Sequence, residues 1–258
     1  MKKLNDSASM NLSWSLSLMV FLGIVAVVHF IYQGVIRPLA QAAIQAQGAA
    51  STTNVWVILK DAEQQACISL GLFCMVLMVY KYYRITFHEE PLFTTDYLSG
   101  VDKEQALDVP AVLKELEESE YSQNSSMATW IDCLRRYKNT HNVQHASDAI
   151  RDSVETLADQ LESGNSMIRY FIWAIPSIGF IGTVRGIGSA LAKAEEAVSG
   201  DISGMVDKLG VAFNSTLVSL VVSIILMYVL HVLNNRQDEM VIKTRKNCET
   251  HLLTHLHK

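Results

Sequence analysis

The chain has 258 residues, half of them apolar, with a formal net charge of -5. This weak acidic charge argues against a nucleic-acid-binding protein, and the apolar content argues against a disordered chain. The apolar residues are unevenly distributed, which favours a protein embedded in a membrane.

Four apolar runs account for this uneven distribution, at residues 16–36, 66–83, 168–191 and 206–233. Each is close to the roughly 20 residues that a helix needs to cross about 30 Å of hydrocarbon. A buried helix of a soluble protein normally keeps a polar face, and residues 217–233 have almost none. We therefore predict an all-α integral membrane protein with four transmembrane helices.

Basic residues beside these runs predict the orientation of the chain, because Lys and Arg concentrate on the cytoplasmic side. The residues at the expected cytoplasmic ends are Lys2, Lys3, Lys81, Arg84, Arg169, Arg236, Lys243, Arg245 and Lys246. In the loops expected on the opposite side, residues 37–65 and 192–205, the only Lys and Arg residues are Arg37, Lys60 and Lys193. We expect a multi-pass protein of a bacterial inner membrane with both termini in the cytoplasm.

These boundaries divide the chain into five regions. Residues 1–65 hold an N-terminal stub, the first span and a periplasmic loop, and residues 66–84 form the second span. Residues 85–167 form an acidic helical cytoplasmic domain. Residues 168–234 hold the third and fourth spans, and residues 235–258 form a cytoplasmic helix or tail.

The first run allows a second interpretation, as a cleavable signal peptide preceded by Lys2 and Lys3. A signal peptide has an apolar core of about 7 to 15 residues, so this longer run favours an uncleaved anchor. His29 lies inside the run. It is either a titratable channel group or a neutral imidazole bonded to a neighbouring helix, and its isolation favours the second role.

The segment between the second and third runs is acidic and reads as helical. Residues 81–165 contain sixteen Asp and Glu against eight Lys and Arg. Pro110 suits the first turn of a helix over residues 111–121. A second helix is indicated by an apolar stripe and ends at Gly164 and Asn165. The stripe consists of Ile150, Val154, Leu157 and Leu161.

No phosphate-binding loop or catalytic set is recognisable in the sequence, so we do not expect an enzyme. The acidic helices suit a cytoplasmic barrel or a docking surface. The four cysteines lack the spacing of a disulfide framework or zinc site, and we interpret them as small apolar residues. His251, His255 and His257 have helical spacing, but without Cys or carboxylate neighbours they favour a solvated tail over a metal site.

The third run carries small residues at intervals of three or four, namely Gly179, Gly182, Gly186 and Ala190. This spacing predicts a groove in which another helix backbone lies close. Pro176 removes one backbone hydrogen bond, so we expect a kink near Ile172 and a hydroxyl, from Ser177 or a neighbour, bonded to the freed carbonyl.

The fourth run carries a polar stripe within an apolar helix. Its polar residues are Asn214, Ser215, Thr216, Ser219 and Ser223, of which Thr216, Ser219 and Ser223 lie on one helical face. Unpaired hydroxyls are unfavourable in lipid, so this face contacts protein or a water-filled passage. Thr183 and Thr216 lie at similar depth, about 12–15 Å below the outer surface at 1.5 Å per residue. They are candidates to line one pore.

Acidic residues are missing from the interior of all four runs: Asp207 is the second residue of the fourth run, and Asp61 and Glu63 lie just before the second. A protein that relays protons through hydrocarbon normally needs a carboxyl there. Either a partner supplies the acid or the protein is not a proton conductor.

The stretch AIPSIGFIGTVRGI at 174–187, with LGVAFNSTLVSL at 209–220, resembles the paired motifs of the MotA/TolQ/ExbB proton channel family. The resemblance covers residues 170–234, and the GTV-x-GI core is more similar to the TolQ and ExbB branch than to MotA. It implies a homopentameric helical channel around two copies of a small ExbD/TolR-like partner. That partner's single membrane helix carries an Asp, close to the pore threonines, here Thr183 and Thr216.

The implied function is that of a channel or stator subunit in a motor driven by H+ or Na+ flow, without a cofactor. Three features depart from the family pattern. Val211 stands where the ExbB branch often has Glu, Arg185 stands where an apolar residue is common, and four spans are found where that branch has three. Arg185 could pair with Asp207, extend outward to water or form a positive ring; pairing or extension is favoured.

Two other functions are compatible with the spans. A secondary transporter would use the small-residue groove as a substrate site, although the internal repeats and broken helices of transporters are not visible. A non-conducting scaffold would use the acidic segment for docking. An ATP-driven pump is not expected, because the sequence has no nucleotide motif.

Overall fold

The computed structural model describes residues 10–47, 51, 54–98, 107–119, 121–122 and 124–256. Within these ranges all regular structure is helical. Four of the helical stretches are long and apolar enough to cross a membrane: Trp14–Ala46, Ala62–Thr94, Val143–Leu191 and Ser203–Leu256. The all-α prediction with four spans is confirmed.

The chain forms two compact units. The spanning unit consists of Leu12–Leu77 and Met167–Leu230, and the charged unit consists of Met1–Asn11, Met78–Ser166 and His231–Lys258. Each unit is described separately below.

The spanning unit begins with α1 (Trp14–Ile31), which continues through a π-helical turn (Tyr32–Ile36) into α2 (Arg37–Gln47). The short α3 (Val55–Leu59) follows, capped by Asn54, whose side chain accepts from the Trp56 amide. The remaining helices of this unit are α4 (Ala62–Arg84), α9 (Ser166–Leu191), α10 (Ala194–Val198) and α11 (Ser203–Asn247), of which α4, α9 and α11 extend to or past the unit boundary.

His29 and Gln65 connect α1 to α4 inside the spanning unit. Gln65 Nε2 lies 3.2 Å from His29 Nδ1. The contact agrees with the interpretation of His29 as a side chain bonded to a neighbouring helix.

The charged unit contains α5 (Glu90–Thr94), α6 (Val109–Glu118), α7 (Ser125–Thr140), α8 (Val143–Gly164) and α12 (Leu253–Leu256). Asp108, Asn124 and Asn142 cap α6, α7 and α8, because each side chain accepts from a free amide of the first turn. The cap at Asp108 explains why α6 begins two residues before the predicted start.

A hydrophobic core lies between these helices, centred on Trp130. The indole Nε1 donates to Asn247 Oδ1 at 2.9 Å, which satisfies the polar atom of this buried ring. The apolar stripe of α8 is buried, as predicted; its members are Ile150, Val154, Leu157 and Leu161.

A buried polar junction lies where α8 ends at Gly164. Lys81 Nζ donates to the Gly164 carbonyl at 2.8 Å and to Asn165 Oδ1 at 3.0 Å. Asn165 Nδ2 in turn donates to Gln237 Oε1 at 2.6 Å. A cation at a helix C-terminus is favourable because free carbonyls collect there. The predicted break at Gly164 and Asn165 is confirmed.

The helix of the fourth span, α11, extends well past the predicted apolar run, to Asn247. Its extension lacks Gly and Pro and carries charged pairs one turn apart, such as Lys243 Nζ to Glu239 Oε1 at 2.6 Å. An apolar run shows which part of a helix can cross the membrane, but the helix itself continues until residues that disfavour it, such as Gly or Pro, interrupt the backbone hydrogen bonds.

Cys67, Cys74, Cys133 and Cys248 are all free and buried, in agreement with their interpretation as small apolar residues. Among the described residues no group of three or more His, Cys, Asp or Glu could hold a metal. His257 lies outside those residues, and His251 Nδ1 lies 2.9 Å from Asp96 Oδ2.

Candidate ion-pathway site

Helices α9 and α11 approach each other closely along a face of small residues. The side of α9 with Gly179, Gly182 and Gly186 is buried. A Cβ atom at Gly186 would lie 2.7 Å from the Ala212 amide nitrogen, and one at Gly182 would lie 2.6 Å from Ser215 Oγ. Only glycine allows this separation, so the two backbones lie nearly in contact.

Thr183 and Thr216 meet within this contact. Their hydroxyl oxygens are hydrogen-bonded to each other. The Thr183 hydroxyl also lies 3.2 Å from the Gly179 carbonyl of its own helix and 3.0 Å from the Ala212 carbonyl of α11. Both threonines are half-buried. The sequence predicted these two hydroxyls at a similar depth, and in the structure they form one hydrogen-bonded pair.

The two hydroxyl groups have fewer protons to donate than there are hydrogen-bond acceptors around them. Each hydroxyl has one proton and two lone pairs, while the acceptors include the Gly179 and Ala212 carbonyls as well as the opposite hydroxyl. The protons can therefore be redistributed by rotating the hydroxyls. In one arrangement the pair accepts from a neutral carboxyl beside it, and in another it donates to a carboxylate.

The other predicted pathway residues lie at different distances from this pair. Ser219 Oγ donates to the Thr216 carbonyl at 3.0 Å and lies opposite Gly179, so it belongs to the cluster. Asn214 is half-exposed, two residues before Thr216. Ser223 lies farther along α11 and has a different partner.

Ser223 bonds the backbone group that Pro176 leaves unpaired. In a regular helix the residue at 176 would donate to the Ile172 carbonyl, and proline has no N–H. Ser223 Oγ of α11 donates to that carbonyl at 3.1 Å. Ser177 instead bonds the Trp173 carbonyl of its own helix at 3.4 Å. The expected hydroxyl is therefore present, but it comes from the adjacent helix.

Of the alternatives for Arg185, the structure shows an ion pair, but with a residue other than Asp207. Arg185 lies 2.8 Å from Glu63 Oε2, and Asp207 lies 3.3 Å from Lys60 Nζ. The reason is the position of α4, whose first turn places Glu63 against the glycine face of α9: a Cβ at Gly182 would lie 3.1 Å from Glu63 Cγ. Sequence reasoning passed over Glu63 because it considered only the α9–α11 hairpin.

The opposite face of α9 exposes large apolar side chains. Trp173 is 81 % exposed and Val184 is 74 % exposed. Phe213, Leu217 and Tyr228 of α11 are exposed as well. Such surface is favourable only against lipid or other protein chains.

Comparison with known proteins assigns the family. A sequence model described as the MotA/TolQ/ExbB proton channel family matches residues 113–246, which is more than half of the 258 residues. The match contains α7 to α10 and most of α11, including the threonine pair. No curated protein and no solved structure matches the chain. The chain is a multi-pass member of the MotA/TolQ/ExbB proton channel family.

Proposed function

We propose that the chain is the channel subunit of a motor in a bacterial inner membrane, with both termini in the cytoplasm. In this proposal five copies surround two copies of a small ExbD/TolR-like protein whose single membrane helix carries an Asp. Flow of H+ or Na+ past this assembly produces rotation or mechanical work on an envelope process. The chain itself is not an enzyme, and the motif at 182–187 favours the TolQ/ExbB branch.

The observation that carries the proposal is the Thr183–Thr216 pair in a chain whose apolar runs contain no Asp or Glu except Asp207, at the margin of the fourth run. Hydroxyls can hydrogen-bond a carboxylate and a neutral carboxyl, but they do not supply a titrating acid at physiological pH. The acid must come from another chain. The exposed apolar surface of α9 and α11 gives that chain, and further copies of this one, a place to pack.

The mechanism follows from the two charge states of the partner's Asp. As a carboxylate it accepts hydrogen bonds from the threonine pair, because a charge without such donors is strongly unfavourable in an apolar wall. After protonation from the outer side it is neutral and can leave the pair for an apolar wall. Each charge that crosses releases roughly 2.3 kcal/mol per 100 mV of membrane potential. Alternation between two partner Asp residues would then bias rotation in one direction.

The test is to remove the hydroxyls while keeping their volume. Thr183→Val and Thr216→Val are expected to lower ion flux through vesicles holding the subunit and its partner by at least about tenfold, equivalent to about 1.4 kcal/mol. Thr183→Ser and Thr216→Ser, which keep the hydroxyl, are the matched controls and should retain most of the flux. Unchanged flux in both valine variants would reject a conducting role and favour the non-conducting scaffold.

The partner and the copy number require separate measurements. Purification with native companions should recover a small protein with one span bearing Asp, and native mass spectrometry should give five copies of this chain to two of that protein. Recovery of this chain without any acid-bearing companion would contradict the proposal.

A further inference from the structure

The first turn of α4 carries a fully buried side-chain amide, Gln64, which makes no hydrogen bond to the threonine pair. Gln64 is 0 % exposed, and neither Nε2 nor Oε1 has a hydrogen-bond partner among the described residues. A buried amide is strongly unfavourable without such partners. Internal water commonly satisfies groups of this kind, typically with two to four polar contacts.

Two further polar groups beside Gln64 are buried in the same way. The Tyr32 hydroxyl and Asp61 Oδ2 have no partner among the residues that the structure describes. Tyr32 is 1 % exposed and belongs to a core cluster against which Leu59 and Ile68 pack, the residues on either side of Asp61 and Gln64 in the sequence. It also opens the π-helical turn of the first span. Such turns are frequent at functional sites. Asp61 and Gln64 are three residues apart, about one helical turn, and Tyr32 lies in the helix that packs against this segment; we name the three side chains the polar cluster.

A cavity of about 350 Å³ lies next to this cluster, within the spanning unit. Its charged lining consists of Arg37, Lys60, Asp61 and Arg185, and we name it the charged pocket. Lys60 and Arg185 are paired with Asp207 and Glu63. The carboxylates of Asp207 and Glu63 are thus already paired, whereas Asp61 Oδ2 is buried without a partner among the described residues. This oxygen gives the charged pocket an acceptor for water or for a cation.

The glycine face of α9 brings the first turn of α4 close to α11. The site of a Cβ at Gly182 lies 3.1 Å from Glu63 Cγ and 2.6 Å from Ser215 Oγ. Ser215 directly precedes Thr216, and Gln64 directly follows Glu63. Because glycine has no side chain, Glu63 of α4 and Ser215 of α11 both lie against the backbone of α9 at this turn, one residue from Gln64 and from Thr216.

We propose that Tyr32, Asp61 and Gln64 hold ordered water and form a hydrated access path inside each subunit, from the charged pocket to the Thr183–Thr216 pair. This inference rests on the proposed channel function and adds the route by which a cation or proton arrives from the outer side. Gln64 is a positioning residue, since its amide donates to and accepts from water without taking up the proton.

Thiol labelling tests the water in this path without measuring flux. In a chain with its four cysteines changed to alanine, Gln64→Cys is treated from outside with a positively charged methanethiosulfonate. Ala66→Cys is the matched control, because Ala66 lies on the exposed face of α4 at similar depth. Gln64→Cys should react at least about tenfold faster, because the thiolate forms only where water solvates it. Equal rates, or no reaction at Gln64→Cys, would overturn the path.

Flux through vesicles containing the partner tests whether the path conducts. Gln64→Leu keeps the volume of the side chain and removes its amide, and flux should fall at least about fivefold, while Gln64→Asn should keep most of it. Gln65→Leu, the same change one residue later at the contact with His29, should leave flux unchanged. Loss of flux in Thr183→Val but not in Gln64→Leu would reject the path and leave the channel function intact. Flux that persists in both would reject the channel function itself, whatever the labelling shows.

Discussion

The bond from Ser223 to the Ile172 carbonyl shows how a proline is accommodated within a membrane-spanning helix. No water is available in the hydrocarbon, so an unpaired carbonyl must find a donor inside the protein. The hydroxyl of α11 lies 3.1 Å from that carbonyl. Pro176 and Ser223 are therefore a matched pair, although 47 positions separate them in the numbering of the sequence.

Removing the Ser223 hydroxyl should destabilise the hairpin only while the proline is present. We expect Ser223→Ala to lower the free energy of unfolding in detergent by about 1–2 kcal/mol. In a Pro176→Ala background the new N–H can bond the Ile172 carbonyl, so the same change should have less than about half that effect. Ser177→Ala, which affects a bond to the Trp173 carbonyl, is the control and should be nearly neutral. Equal losses in both backgrounds would contradict this assignment.

The contacts of individual side chains were the hardest feature to predict from the sequence. The small-residue spacing and the polar stripe led to Thr183 and Thr216, because both patterns repeat with the period of a helix. For Arg185 the alternatives included a pair with Asp207 but not the pair with Glu63 that is found, and Gln64 was not considered at all. Both depend on how the first turn of α4 sits against α9, which no periodicity within either segment specifies.

Among the helices, α9 and α11 are joined by contact between backbones. Gly186 lies against Ala212, where an added methyl group would meet the amide nitrogen at 2.7 Å and Cα at 2.8 Å. Backbone atoms cannot move aside as the end of a flexible side chain can. This position should therefore be less tolerant of substitution than the other glycines of the span.

Gly186→Ala should destabilise the protein by about 1–3 kcal/mol, the usual effect of excess volume in a packed contact. Gly188→Ala is the matched control, because nothing lies within 4 Å of a Cβ at that position. It should be neutral or stabilise the helix by up to about 1 kcal/mol. Thermal unfolding in detergent measures both. A Gly186→Ala variant as stable as Gly188→Ala would mean that the two helices are farther apart than described.

The existence and type of the helices followed from the sequence better than their ends did. Apolar runs predicted four spans, and the stripe from Ile150 to Leu161 predicted the buried face of α8. A helix or tail was predicted for residues 235–258, but not that the fourth span continues into it as one helix to Asn247, because these turns are charged and are stabilised by short-range ion pairs.

Across the chain, each compact unit holds two of the four buried cysteines. Cys67 and Cys74 lie in the spanning unit, and Cys133 and Cys248 lie in the charged unit. Burial raises the pKa of the Cys133 thiol to about 12. Because only the thiolate reacts with alkylating agents, this cysteine stays unreactive at neutral pH while its unit is folded.

The cysteines of the two units should become exposed at different urea concentrations. The charged unit has a core surrounded by water-soluble helices, which urea unfolds readily, whereas helices embedded in a detergent micelle resist it. We expect Cys133 and Cys248 to be alkylated at lower urea concentration than Cys74, as measured by mass spectrometry of peptides. Without urea, raising the pH from 7 to 9 should leave Cys133 unmodified. Labelling of all three at one urea concentration would indicate a single cooperative transition.

The bond from the Thr183 hydroxyl to the Ala212 carbonyl has a consequence for motion. Together with the glycine contacts it ties α9 to α11 at several successive turns. Sliding or twisting of one helix against the other would break these contacts simultaneously, so the hairpin is expected to move as one rigid body. In the proposed motor the displacement would then occur at the exposed surface of the hairpin, so that the rotating partner could pass from one copy to the next without deforming either.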